Sequence, residues 1–129
     1  MDRIDIWIEV PRIAHDALSE KRVESRAASD AAISAVQSAR ERQRARFDGI
    51  RPTLRKNADM TVRDIDTMIE LSPAVAKILN DSAKRLDLSP RSYHRIIKLA
   101  RTFADIASAD EISDVHILEA LQYRPKNLM

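Results

Sequence analysis

An all-α fold is what this sequence predicts: a small bundle of about four to five helices, with a short N-terminal strand and a flexible N-terminal segment. Three observations predict it. A single glycine among 129 residues and an aromatic content of 4% leave too few turn formers for a sandwich or barrel. Two Ser-Pro pairs, Ser72-Pro73 and Ser89-Pro90, each supply a cap followed by proline at the first helical position. Behind the second pair, Tyr93, Ile96, Ile97, Ala100, Phe103, Ala104 and Ala107 recur at the offsets of one helical face.

The elements follow in order. Ile4, Ile6, Ile8 and Val10 alternate with Asp5, Trp7 and Glu9, the period-two pattern of a half-buried strand that Pro11 closes. Residues 11–28 are polar and irregular, with Ile13, Leu18 and Val23 as scattered anchors, and read as a connector. Ser29 and Asp30 are set to cap a helix to about Phe47, whose stripe of Ile33, Val36 and alanines is thin. Gly49 and Pro52 stop it, and 48–60 reads as a second connector. Thr61 caps a short helix to about Glu70 carrying Ile65, Met68, Ile69 and Leu71. The helix after Ser72 runs to about Leu86 with Val75, Ile78, Leu79, Ala83 and Leu86 on one face, and the helix after Ser89 to about Ala107. Ser113-Asp114 caps a last short helix carrying Val115, Leu118 and Leu121. Residues 1–28 therefore separate from a helical unit over 29–129, made of a charged helix at 29–47 and four helices over 61–124. Short links between those four favour antiparallel neighbours.

Charged residues make up 33% of the chain, yet the net charge is only +2 and the pI about 9.1, so whole-molecule steering of nucleic acid is weak. The absence of cysteine excludes disulfides and thiolate metal sites. No apolar run approaches the roughly 20 residues of a membrane span, and residues 1–5 lack the apolar core of a signal peptide. No membrane partner and a cytoplasmic location are expected.

Chemistry has few carriers. There is no glycine-rich phosphate loop and no nucleophile–base set. His15, His94 and His116 lie far apart, without ligand spacing, so no metal site is expected. Met60, Met68 and Trp7 read as packing residues. Arg95, Lys98 and Arg101, spaced by three beside the apolar stripe, are expected to snorkel over it. Arg91 stands out. Proline at the first helical position leaves it in the first turn, where the macrodipole favours acids. An arginine kept there suits an anionic partner, and a nucleotide phosphate would meet both the guanidinium and the helix N-terminus. The run 40–56 holds Arg40, Arg42, Arg44, Arg46, Arg51, Arg55 and Lys56 against Glu41 and Asp48. Arg42 and Arg46 share one helical face, as do Arg40 and Arg44, and such rows either bind nucleic-acid phosphates or are solvated beside a neighbouring subunit.

Four segments together resemble magnesium-chelatase-like AAA+ proteins, and within them the competence-associated ComM (YifB) branch. They are Asp2–Pro11, Ala39–Arg44, Leu88–Ala107 and Asp114–Arg124. The first resembles the end of the ATPase core, the second the charged helix after it, the third the helix bearing the second sensor, and the last the closing helix. The resemblance implies an AAA+ lid. Arg91 would be the sensor-2 arginine on the γ-phosphate of ATP in its own subunit, and Arg3 the arginine finger reaching a neighbour's ATP. It implies ATP and Mg2+ in a longer parent protein, but none in this chain alone, whose phosphate loop and acidic strand would lie upstream. The implied partners are that upstream core, neighbouring subunits of a homo-oligomeric ring, and DNA. The chain by itself is not expected to be an enzyme, and 1–28 is expected to be mobile. A chelatase-type subunit, a stand-alone nucleic-acid-binding module through Arg40, Arg42, Arg44 and Arg46, and a histone-like interaction domain are the alternatives.

Overall fold

A computed structural model describes residues 6–8, 10 and 22–124, with side chains in the first helix from residue 28 onward. The elements are α1 (Arg22–Phe47), a short 3-10 helix (Asn57–Asp59), α2 (Val62–Met68), α3 (Pro73–Leu86), α4 (Pro90–Ile106) and α5 (Asp114–Gln122). The all-α expectation holds. Among the described residues there is no strand: Ile6, Trp7, Ile8 and Val10 carry none, and the rest of 4–10 lies outside the described residues, as do Arg3 and His15. The backbone N–H of Trp7 donates to Tyr123 O at 2.8 Å, so the chain start reaches the end of α5.

The helix expected at Ser29 begins at Arg22 instead, and Ser29 and Asp30 lie inside it. No glycine or proline stands between Pro11 and Gly49, and Arg, Glu and Ala propagate helix well, so a capping residue does not oblige a start. α1 ends in a turn where Gly49 adopts φ +76°, a backbone region costly for side chains with Cβ.

Each later helix opens as its residues dictate. Thr61 accepts from Asp64 N at 3.2 Å and Asp64 accepts from Thr61 N at 2.8 Å, a reciprocal box at the start of α2. Ser72 accepts from Val75 N at 3.3 Å and Ser89 from Ser92 N at 3.1 Å. At α5 a histidine replaces the usual acid: Ser113 N donates to His116 Nδ1 at 3.0 Å, which explains why His116 is buried.

α4 is the spine. It packs against α5, α1, the 3-10 helix and α2, while α3 packs on α5. Ile96, Ile97, Ala100 and Ala104 face the core from α4, meeting Leu79 of α3, Phe47 of α1 and Ile117 of α5. Each fully buried Leu or Ile contributes about 1.5–3 kcal/mol of transfer free energy. The last helix buries a different face from the one expected. Ile117, Ala120 and Leu121 turn inward, whereas Val115 is 62% and Leu118 46% exposed. Residues at i, i+3 and i+4 form one contact face, and 117, 120 and 121 satisfy it better than 115, 118 and 121. The thin stripe of α1 is likewise exposed at Ile33 and Val36, and the helix docks through Ala39, Gln43 and Phe47. The connector 48–60 is a structural part of the core, because Leu54 and Asn57 are each only 2% exposed. Among the described residues no helix is long and apolar enough to cross a membrane.

Candidate anion-binding sites

Arg91 stands exposed in the first turn of α4. Pro90 precedes it, and the Ser89 cap already engages Ser92 N, so the start of the helix is fixed. A cavity of about 420 Å³ opens there, lined by Arg91, His94, Arg95 and Lys98 of α4 and by Met60, Val62 and Ile65 across from them. His94 Nδ1 lies 2.8 Å from Pro90 O, which orients its ring along the helix end. Three cationic side chains around a helix N-terminus form an anion-attracting mouth with one apolar wall. Met60 is buried there and Met68 half-buried on the core, both as packing residues. Among the described residues no group of His and acidic side chains has metal-site geometry.

The arginine row of α1 divides into two halves. Arg46 turns inward: one terminal nitrogen donates to Asp105 Oδ2 at 3.0 Å and to Asn57 Oδ1 at 3.1 Å, and the other donates to Asp105 Oδ1. Asp105 also accepts from Asn57 Nδ2 at 2.9 Å and pairs with Arg101 at 3.1 Å, and it is fully buried. Burial alone pushes the Asp105 carboxyl up, but hydrogen bonds from Arg46 and Asn57 and the positive charge of both arginines hold it below the usual carboxylate range. Arg42 donates to Ser108 O at 3.0 Å and to Asp110 at 3.2 Å, clasping the α4–α5 link. Arg40 and Arg44, by contrast, are exposed and line a second, larger cavity of about 740 Å³ with Arg51, Arg55 and Lys56.

Arg101 does not snorkel. It is 7% exposed and donates to Asp110 O and Ala109 O at 3.0 and 2.8 Å. Burial lowers its pKa, and Asp105 partly offsets that. Its (i, i+4) carboxylate was the signal to find it: Asp105, one turn after Arg101, is the one acid on a helix whose other charged residues are cations. Asn57 gives no comparable signal, since its role depends on a loop folding back under α4. Arg51 holds Asp64 through both terminal nitrogens, one at 2.9 Å, and those hydrogen bonds with that from Thr61 N hold the Asp64 carboxyl far below its usual range.

Residues 26–124 match the family profile described as magnesium chelatase, subunit ChlI C-terminal. The uncharacterized protein YifB of Salmonella typhimurium is 36% identical over 125 residues, which is 96% of this chain and 23% of that protein. The competence protein ComM of Haemophilus influenzae is 34% identical over the same length, again 96% of this chain and 23% of the relative. The Escherichia coli protein YifB is 34% identical over 124 residues. The chain thus spans about a quarter of the length of these relatives.

Proposed function

The chain belongs to the family of magnesium chelatase ChlI C-terminal domains, and from that premise we propose that it is the helical lid of a ComM-like AAA+ ATPase. In this reading α4 carries the second sensor. Arg91 engages the γ-phosphate of ATP held by an upstream core of the same protein, and Arg95 and Lys98 add positive potential to the mouth. The observation that carries it is Arg91 itself, an exposed cation in a first helical turn that repels it, at the rim of a cavity of about 420 Å³. Those donors fit a polyphosphate: a guanidinium fork and a helix N-terminus both favour phosphate oxygens. When bound, ATP supplies the phosphoanhydride whose cleavage drives the motor, and Mg2+ enters with it. The lid's own part is to bind the terminal phosphate and to set its angle to the core by doing so.

Arg3 is the arginine finger of this reading, acting on a neighbour's ATP in a homo-oligomeric ring. The ring works on DNA as a helicase or branch-migration motor, in the cytoplasm. The chain alone turns over no ATP. The family description favours a second reading, in which the parent is a subunit of a chelatase complex. Stimulation of the parent's ATP turnover by DNA separates the two.

The test is Arg91→Ala in the full-length parent. We expect kcat for ATP hydrolysis to fall by about a hundredfold or more, as for loss of a preorganised charge on a transferring phosphoryl group. The helical circular dichroism should be unchanged. Turnover within twofold of wild type, about 0.4 kcal/mol in the barrier, sinks the assignment.

A further inference from the structure

The cavity of about 740 Å³ between the end of α1 and the loop after it belongs to no part of the lid function. Its rim carries Arg40 and Arg44, one helical turn apart on α1, and faces Arg55 and Lys56 of the loop. Arg40 and Arg44 make no ion pair among the described residues. Asp48 is the one acid on the lining. The floor is apolar: Phe47 and Leu54 are buried beneath it, and Ile50 is 47% exposed at its edge. A Cβ built on Gly49 would meet nothing within 4 Å, so the turn leaves the mouth open.

We infer that this cleft binds the phosphodiester backbone of single-stranded nucleic acid. The inference deepens the DNA-directed reading above and rests on it only for the identity of the polymer. Of the five cations on the lining, Arg51 is engaged by Asp64, and three of the other four are arginines, whose planar forks match phosphate oxygens and stack on exposed bases. The concave shape selects a flexible strand. Duplex DNA, with a persistence length of about 150 bp, does not bend into a cup of this size and would touch only the rim. Arg42 and Arg46 take no part, because both are turned onto the α4–α5 link and Asp105. The row along α1 is therefore split, and the binding surface is the α1–loop cleft.

The experiment is fluorescence anisotropy of the whole chain with a labelled oligothymidylate, between about 50 and 200 mM salt. Arg40→Glu/Arg44→Glu should weaken binding by about tenfold or more. Arg40→Gln/Arg44→Gln should flatten the plot of log K against log salt by about 0.7 for each cation removed. The matched reversal Arg63→Glu/Lys77→Glu, on exposed residues of α2 and α3, should leave binding within about twofold. Thermal melts of all variants check the fold, and the Gln pair keeps the test open if the Glu pair unfolds. Equal binding by the cleft and control variants overturns the proposal. Equal competition by poly-glutamate overturns it in favour of an acidic protein partner, and equal competition by free ATP in favour of a mononucleotide site. Loss of oligonucleotide binding while Arg91→Ala leaves turnover intact would sink the lid and keep the cleft; the reverse pattern would do the opposite.

Discussion

At the start of α4, Arg91 stands exposed at an open mouth, whereas near the end of the same helix Arg101 is buried against Asp105 with Arg46 of α1 beside it. Both regions are rich in arginine, and their physics is opposite. At the seam, two cations and one carboxylate are desolvated together, and their energy depends on every hydrogen bond being made. At the mouth, Arg91 is exposed at the rim of a cavity, where its charge stays hydrated. The difference teaches which arginines hold the fold and which stand at the surface. Clustering of positive charge alone does not tell them apart.

The contrast is broken most directly by Asp105→Ala. It strands Arg46 and Arg101 without their shared carboxylate and leaves Asn57 Nδ2 with only Thr102 Oγ1, at 3.1 Å. Loss of one partner of a buried pair costs about 3–5 kcal/mol, so urea unfolding should show an unfolding free energy lowered by that much. Arg91→Ala should change the same free energy by less than about 0.5 kcal/mol, as for an exposed position. If the two variants were equally destabilised, the division into a structural and a functional end of α4 would be wrong.

Acid sharpens the same comparison. Asp105 and Asp64 both titrate below their ordinary value in the folded chain. Their stabilisation is fully present above the unfolded carboxylate pKa of about 3.9, and it is lost as the pH falls below that toward the folded values. Unfolding free energy should therefore decline as the pH is lowered from about 4, more steeply in the wild type than in Asp105→Asn. Parallel declines would mean that Asp105 contributes nothing to acid sensitivity.

A smaller effect is expected at the cap that sets Arg91 in place. Ser89→Ala removes the acceptor for Ser92 N and should cost about 0.5–2 kcal/mol. It should also loosen the first turn, and in the full-length parent it is expected to raise KM for ATP more than it lowers kcat.

Much of the bundle was legible because local chemistry and tertiary packing agree. Thr61, Ser72 and Ser89 cap the helices their positions announce, and the stripe of α4 is the core-facing stripe. The start of α1 was not legible, since Ser29 and Asp30 are good caps that the chain does not use when alanine and arginine upstream extend the helix. The buried face of α5 was misplaced because Val115 and Leu118 outrank Ala120 in hydropathy, while packing on α4 selects by position. Of the candidate site, Arg91 was visible as a charge in the wrong place on a helix. The fates of Arg40, Arg42, Arg44 and Arg46 were not, because facing pairs on one helix say nothing about which face meets Asp105. That carboxylate is 59 residues away from Arg46 and becomes its partner only when α4 crosses α1.

The weakest contact in the seam separates burial from mere proximity. Arg42 and Asp110 approach to 3.2 Å, which is a salt bridge by distance, but the Asp110 side chain is 94% exposed. Water screens such a pair, and holding two side chains in one geometry costs entropy, so its net worth is about 0–1 kcal/mol. Asp110→Ala should lower the unfolding free energy by less than about 0.5 kcal/mol, and by nothing measurable in about 1 M salt, where the screening length is about 3 Å. Arg42→Ala should cost more, because it also removes the donor to Ser108 O, in a link where Ser108 sits at φ +58°. If instead Asp110→Ala matched Asp105→Ala, ion-pair distance rather than desolvation would govern the seam.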